Sequence, residues 1–150
     1  MIKKKFFITA LTLLIISVFF NMYYMVKSTT LPTIYETNIY LDHVMLKDFS
    51  FIGYYNSIYV EKNSYLEKVE RDQDINNISL SVSIDDDLIV SLSTRDTYWN
   101  DYKHYLDLQY PPRKLRLSKN SLLKVKATYT VNGENKESYK ELQITDLTKM

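Results

Sequence analysis

The stretch Ile78-Ser79-Leu80-Ser81-Val82-Ser83-Ile84 alternates apolar residues and serine without a break. A period of two puts every apolar side chain on one side of an extended strand and every hydroxyl on the other. Asp85-Asp86-Asp87 interrupts the pattern, and Leu88, Val90 and Leu92 resume it. This predicts a hairpin of strands 77–84 and 88–95 with a three-residue loop. A second hairpin surrounds Asn132-Gly133, a strong turn dipeptide. Its first strand carries Leu123, Val125, Ala127, Tyr129 and Val131 on one face and Lys124, Lys126, Thr128 and Thr130 on the other. Apolar pairing favours a four-residue loop, 132–135, with a return strand over 136–145, Leu142 opposite Val125 and Ile144 opposite Leu123.

Earlier in the chain, 34–41 and 49–60 are rich in β-branched and aromatic residues and suit strands, with Gly53 as a bend. Residues 65–70 suggest a short strand and 71–77 a polar loop. Between Tyr98 and Tyr110, tyrosines 98, 102 and 105 fall at helical spacing, so a short helix or an aromatic loop fits before Pro111-Pro112. The sum is a mainly β chain with six or seven strands in about 115 residues, a small antiparallel sandwich or barrel-like domain.

The first residues are different in kind. Lys3, Lys4 and Lys5 form a basic head at 1–5, and Phe6 to Val26 runs for twenty-one residues without a formal charge. A helix of that length spans a hydrocarbon core of about 30 Å. It is also longer than the apolar region of a cleaved signal peptide, and lysine at position 27 makes Val26-Lys27-Ser28 a poor cleavage site. The expectation is a single-pass signal-anchor over 6–26 in the cell (inner) membrane. The basic head then stays in the cytoplasm, 27–37 is a tether and 38–150 an extracytoplasmic domain.

Composition narrows the function. The chain has no cysteine, which excludes disulfides and thiolate chemistry. Two glycines leave no Gly-rich phosphate loop. A net charge of +1 does not suit a general nucleic-acid binder. That total conceals a division: residues 28–110 carry 6 basic and 14 acidic groups, net −8, and residues 111–150 carry 9 and 4, net +5. His43 and His104 are the only histidines, and no Gly-x-Ser-x-Gly occurs, so no catalytic residues are assigned and the chain reads as non-enzymatic. Asp85, Asp86 and Asp87 supply too few oxygens for a hard cation and read as a polar turn; neither a metal nor a cofactor is expected.

Two groups stand out as binding candidates. Tyr98, Trp99, Tyr102 and Tyr105 offer flat rings with polar handles, suited to a partner protein or a small amphiphile, or else they plug an open end of the domain. Arg113, Lys114 and Arg116 open a basic run, continued by Lys119, Lys124 and Lys126, that contains no acidic residue. It suits an anionic headgroup or an acidic partner, or it is a solvated strand face.

The basic head, single apolar span and outer β domain together resemble the small accessory partners of ToxR-type membrane transcription activators, the ToxS-like and VtrC-like families. The resemblance is one of layout across the whole chain, and no site residues come with it. It implies a module that assembles with, or protects, the outer domain of a membrane regulator. The charge division also suits an immunity protein that binds a toxin. A ligand-binding or secreted β domain is the remaining alternative.

Overall fold

The computed structural model describes residues 2–29, 31–95, 99, 101–108 and 110–149 and, within the first helix, the side chains of 11–25. The chain divides into two compact units, one up to Leu31 and one from Pro32 onward. The first is a helix, α1 (Ile2–Thr29). All fifteen described side chains on it, 11–25, are exposed. Among the described residues no helix is long and apolar enough to cross a membrane. The transmembrane signal-anchor expected over 6–26 therefore finds no support among the described residues. Of the segment 27–37, α1 takes residues as far as Thr29 and the first strand those from Thr33.

The second unit is mainly β. Its described strands are β1 (Thr33–Leu41), β2 (Val44–Tyr54), β3 (Ser57–Val60), β4 (Tyr65–Lys68), β5 (Ile75–Ile84), β6 (Asp87–Ser93), β7 (Lys103–Tyr105), β8 (Arg113–Lys114), β9 (Leu122–Val131), β10 (Glu134–Gln143) and β11 (Thr148–Lys149). A single 3-10 turn, Ile144–Asp146, separates β10 from β11. The strands form two antiparallel sheets, one ordered β11-β1-β2-β3-β8, with β4 on β2 and β7 on β4, the other ordered β10-β9-β5-β6. The described strands outnumber the expected six or seven because several of them are only two to four residues long.

The first sheet is organised by a break in β2. Val44 and Leu46 face inward, and so do Phe49 and Phe51, which requires an extra residue between the two pairs. Asp48 supplies it, with φ 51° and its N–H donated to Asn38 Oδ1 at 2.9 Å. The bulge bends the strand. Residues 44–47 pair with β4 and residues 51–54 with β3, so one edge of β2 carries two short strands in tandem. The expected strand 49–60 is thus a hairpin, turning at Tyr55 and Asn56. Gly53 is not its bend. A Cβ there would stand 2.7 Å from Leu117 Cδ1 and 3.3 Å from Tyr35 Cε2, so glycine makes room for the chain that follows β8.

The second sheet contains both hairpins expected from alternation, with different turns. Ile84 pairs with Asp87, so the loop is two residues, Asp85 (φ 50°) and Asp86 (φ 72°). Left-handed values at both positions match the twist of adjoining strands, and aspartate tolerates them. The extra residue reappears at Ile89 as a bulge, so Ile89 and Val90 are both buried while Leu88 is 48% exposed. A bulge at Asn77 (φ 52°) likewise brings both Ile75 and Ile78 inward, so β5 begins inside the expected polar loop.

The second turn is also two residues, Asn132 and Gly133, with Glu134 across from Val131. Lys140 faces Val125, and Leu142 faces Leu123. The four-residue loop and its register are thus corrected. The reason is position: β10 is the sheet's edge, where inward positions need not be apolar and a charge discourages pairing with other chains.

The two sheets share one core. Ile39, Leu46, Phe51 and Leu66 from the first are buried with Leu80, Val82, Val125 and Tyr129 from the second, the arrangement of a β-sandwich. The Tyr129 hydroxyl reaches across to the Leu41 carbonyl oxygen at 2.9 Å and lies 2.8 Å from Ser138 Oγ, which donates to Asp42 Oδ2 at 2.5 Å. Among the described residues no buried side-chain polar atom lacks a hydrogen-bond partner.

Candidate functional site

Of the expected aromatic group, Tyr98 lies outside the described residues. The helical alternative for 98–110 is replaced by strand at Lys103–Tyr105, because β4 offers a free edge for these residues to pair with. Trp99 is half-buried against the core and donates its Nε1–H to the Ile75 carbonyl at 2.7 Å. Its ring is therefore a packed wall, with the Lys68 ammonium 5.0 Å from its centroid and the His104 ring beside it. Tyr102 is half-buried too, beneath the Arg71 guanidinium at 4.4 Å. Tyr105 is open, 63% exposed, and its ring tilts against Tyr65.

Three cations that sequence reasoning did not select complete this surface. Lys103 stands 4.7 Å from the Tyr65 ring centre and 5.5 Å from that of Tyr102. Desolvation works to lower the Lys103 pKa, but the Tyr65, Tyr102 and Tyr105 hydroxyls outweigh it, and the net shift is upward. Arg71 and Lys103 have no carboxylate partner among the described residues. Lys68 donates to the Gln73 carbonyl at 2.7 Å. With Met45, Glu67, Val69 and Tyr102, Lys68 and Arg71 line a shallow hollow of about 250 Å³. Lys103 itself follows Tyr102 in sequence, but Arg71 and Lys68 come from β4 and the loop after it, and only the pairing of β4 with β7 unites them.

The backbone here is also available. Lys68 N–H donates to the Tyr102 carbonyl at 2.9 Å and Leu106 N–H to the Ser64 carbonyl at 3.1 Å. Hydrogen-bonded and non-hydrogen-bonded pairs alternate along an antiparallel ladder. Lys103 and Tyr105 therefore direct their N–H and C=O groups away from β4, and among the described residues no strand pairs with that side.

The basic group lies elsewhere. Arg113 and Lys114 form β8, pairing with Ile58 and Ser57, and Arg116 follows; all three are exposed. The β4–β7 and β3–β8 arms join β2 about seven residues apart, roughly 20 Å along a strand, so the two expected groups are separate surfaces. The later part of the basic run is neutralised. Lys124 meets Asp86 at 2.5 Å and Glu141 at 4.0 Å, and Lys126 meets Glu137 at 3.0 Å. The Asp86 hydrogen bond is the main cause of an upward shift at Lys124. Asp85 Oδ1 accepts the Leu122 N–H at 2.8 Å, so this aspartate ties the turn to β9.

The histidines stay in different surroundings. His43 Nδ1 lies 3.1 Å from Gln73 Oε1, and His104 lies against Trp99.

In comparison with known proteins, no family model matches this chain, and neither a curated protein nor a solved structure does.

Proposed function

We propose that this chain is a non-enzymatic, membrane-held accessory module whose β domain binds and modulates a partner membrane protein, as the ToxS-like and VtrC-like families do. The observation that carries the reading is the open edge of β7. Among the described residues it presents unpaired backbone at Lys103 and Tyr105, an exposed tyrosine ring and two cations without carboxylate partners. An extended acidic segment added at that edge gains backbone hydrogen bonds for affinity and charge pairs for specificity. The membrane part of the reading is supported by the Phe6–Val26 run lying wholly inside α1, whose 28 residues amount to about 42 Å of helix. Its described side chains, 11–25, are uncharged and exposed, with Leu13 at 63% and Phe19 at 69%.

The test is cross-linking capture from membranes with the full chain, followed by identification of the captured protein. Tyr105→Pro removes the outward N–H without touching the β4 ladder. Capture of a membrane regulator by the parent chain and its loss in this variant is the expected result. Equal capture by both overturns the edge assignment, and capture of a toxin turns the reading to immunity. Release of the chain by alkaline extraction overturns the anchor.

A further inference from the structure

We propose that the β3–β8 corner of the domain is a docking surface for an anionic lipid bilayer, separate from the β7 edge. This rests on the reading that α1 lies in the membrane.

The corner combines two kinds of side chain on one stiff support. Tyr54 and Lys114 both stand directly across from Ser57, so they share a face of the sheet. Tyr59, two residues along β3, shares that face and continues through Ile52 to Ile34. Tyr54 is 42% and Tyr59 41% exposed. Amphipathic rings of this sort favour the boundary between headgroups and hydrocarbon. Lys114 shares the face of the rings, exposed Arg113, Arg116 and Lys119 lie beside it along the chain, and none of the four has a carboxylate partner among the described residues. Each is thus available to an anionic headgroup without breaking a pair. The support is fixed by the Leu115 N–H on the Asn56 carbonyl at 3.0 Å and by Leu117 seated over Gly53.

A bilayer suits this corner better than an acidic protein for a reason of chain length. Three residues, 30–32, separate α1 from β1, and a fully extended link of that length reaches about 14 Å. Whatever surface holds the end of the helix is thereby kept close to Thr33, whose direct partner in β2 is Gly53, next to Tyr54. Tethering at that distance raises the effective concentration of the lipid surface, so modest charge and ring contacts suffice.

The experiment uses the full chain with a nitroxide on Asn56→Cys, at the exposed tip of the β2–β3 turn in a chain that has no other cysteine. Vesicles are of phosphatidylcholine alone or with phosphatidylglycerol. Flotation with phosphatidylcholine vesicles reports the helix. In phosphatidylglycerol vesicles the label is expected to lose about tenfold of its accessibility to a polar relaxation agent. It regains that accessibility in high salt and in the Arg113→Glu/Lys114→Glu/Arg116→Glu variant. A chain that floats in both lipids with unchanged label accessibility overturns the docking and leaves the anchor intact. Flotation only with phosphatidylglycerol, lost on charge reversal, supports the docking and overturns the anchor. No flotation in either overturns both.

Discussion

The Tyr129 hydroxyl donates to the Leu41 carbonyl oxygen, 88 positions away in sequence, and so fastens the four-stranded sheet to the first hairpin of the other. Tyr129 also lies 2.8 Å from Ser138 Oγ, and Ser138 donates to Asp42, so the two hydroxyls belong to one polar network. Tyr129→Phe removes the hydroxyl that joins the Leu41 carbonyl and Ser138 in a buried site and is expected to cost about 1 kcal/mol. Ser138→Ala removes a smaller group at the sheet edge and is expected to cost about 1 kcal/mol. Urea unfolding of the two single variants and the double variant checks both values. Coupling in the cycle above about 0.5 kcal/mol is expected of hydroxyls in direct contact.

Gly53→Ala places a methyl group against Leu117 and the Tyr35 ring. The Leu117 end can swing aside, but Tyr35 is stacked on Phe51 and gives little. A loss of about 1 kcal/mol is expected, with hydrogen exchange rising first at the Leu115 N–H, which is bonded to Asn56. Adding Leu117→Ala is expected to recover part of the Gly53→Ala penalty; a further loss of the full cavity cost would show that the clash is not the cause.

Lys140 faces inward on an edge strand, directly across from Val125. Lys140→Val joins an apolar side chain to Leu142 on that face of the edge, and concentration-dependent self-association is the expected outcome in analytical ultracentrifugation. Lys140→Glu keeps a charge there and is expected to sediment as the parent does.

Two charge pairs make opposite predictions for pH. The hydrogen bond from Lys136 is the main reason the Glu134 pKa is lowered. Its contribution is complete above the ordinary glutamate pKa and disappears as pH falls through the depressed value. Lys124 is raised, chiefly by Asp86, so its contribution is complete below the ordinary lysine pKa and disappears as pH rises through the elevated value. NMR titration is expected to show Glu134 returning upward in Lys136→Ala and Lys124 returning downward in Asp86→Asn.

The β character of the chain was legible because alternation in 78–84 and 123–131 is a local property of the sequence. Loop lengths were not, because bulges at Asp48, Asn77 and Ile89 shift the inward phase by one residue, and a simple period of two cannot accommodate them. Apolar matching failed for β10 since it assumed a strand with neighbours on both sides. The candidate surfaces were half legible. Tyr102, Tyr105, Arg113 and Lys114 were selected from sequence, but Arg71 and Tyr65 join Tyr102 and Tyr105 only through the pairing of β4 with β7. Tyr54 and Tyr59 were hidden among fourteen tyrosines whose β propensity needed no further explanation.

The fixed seat of Trp99 has an optical consequence. It is the only indole in the chain, bonded through Nε1 to the first residue of β5 and adjoining a lysine on β4. Its emission therefore reports on the seam between the two sheets and on little else. A ligand or partner that strains the β4–β7 arm changes its colour without any label being added.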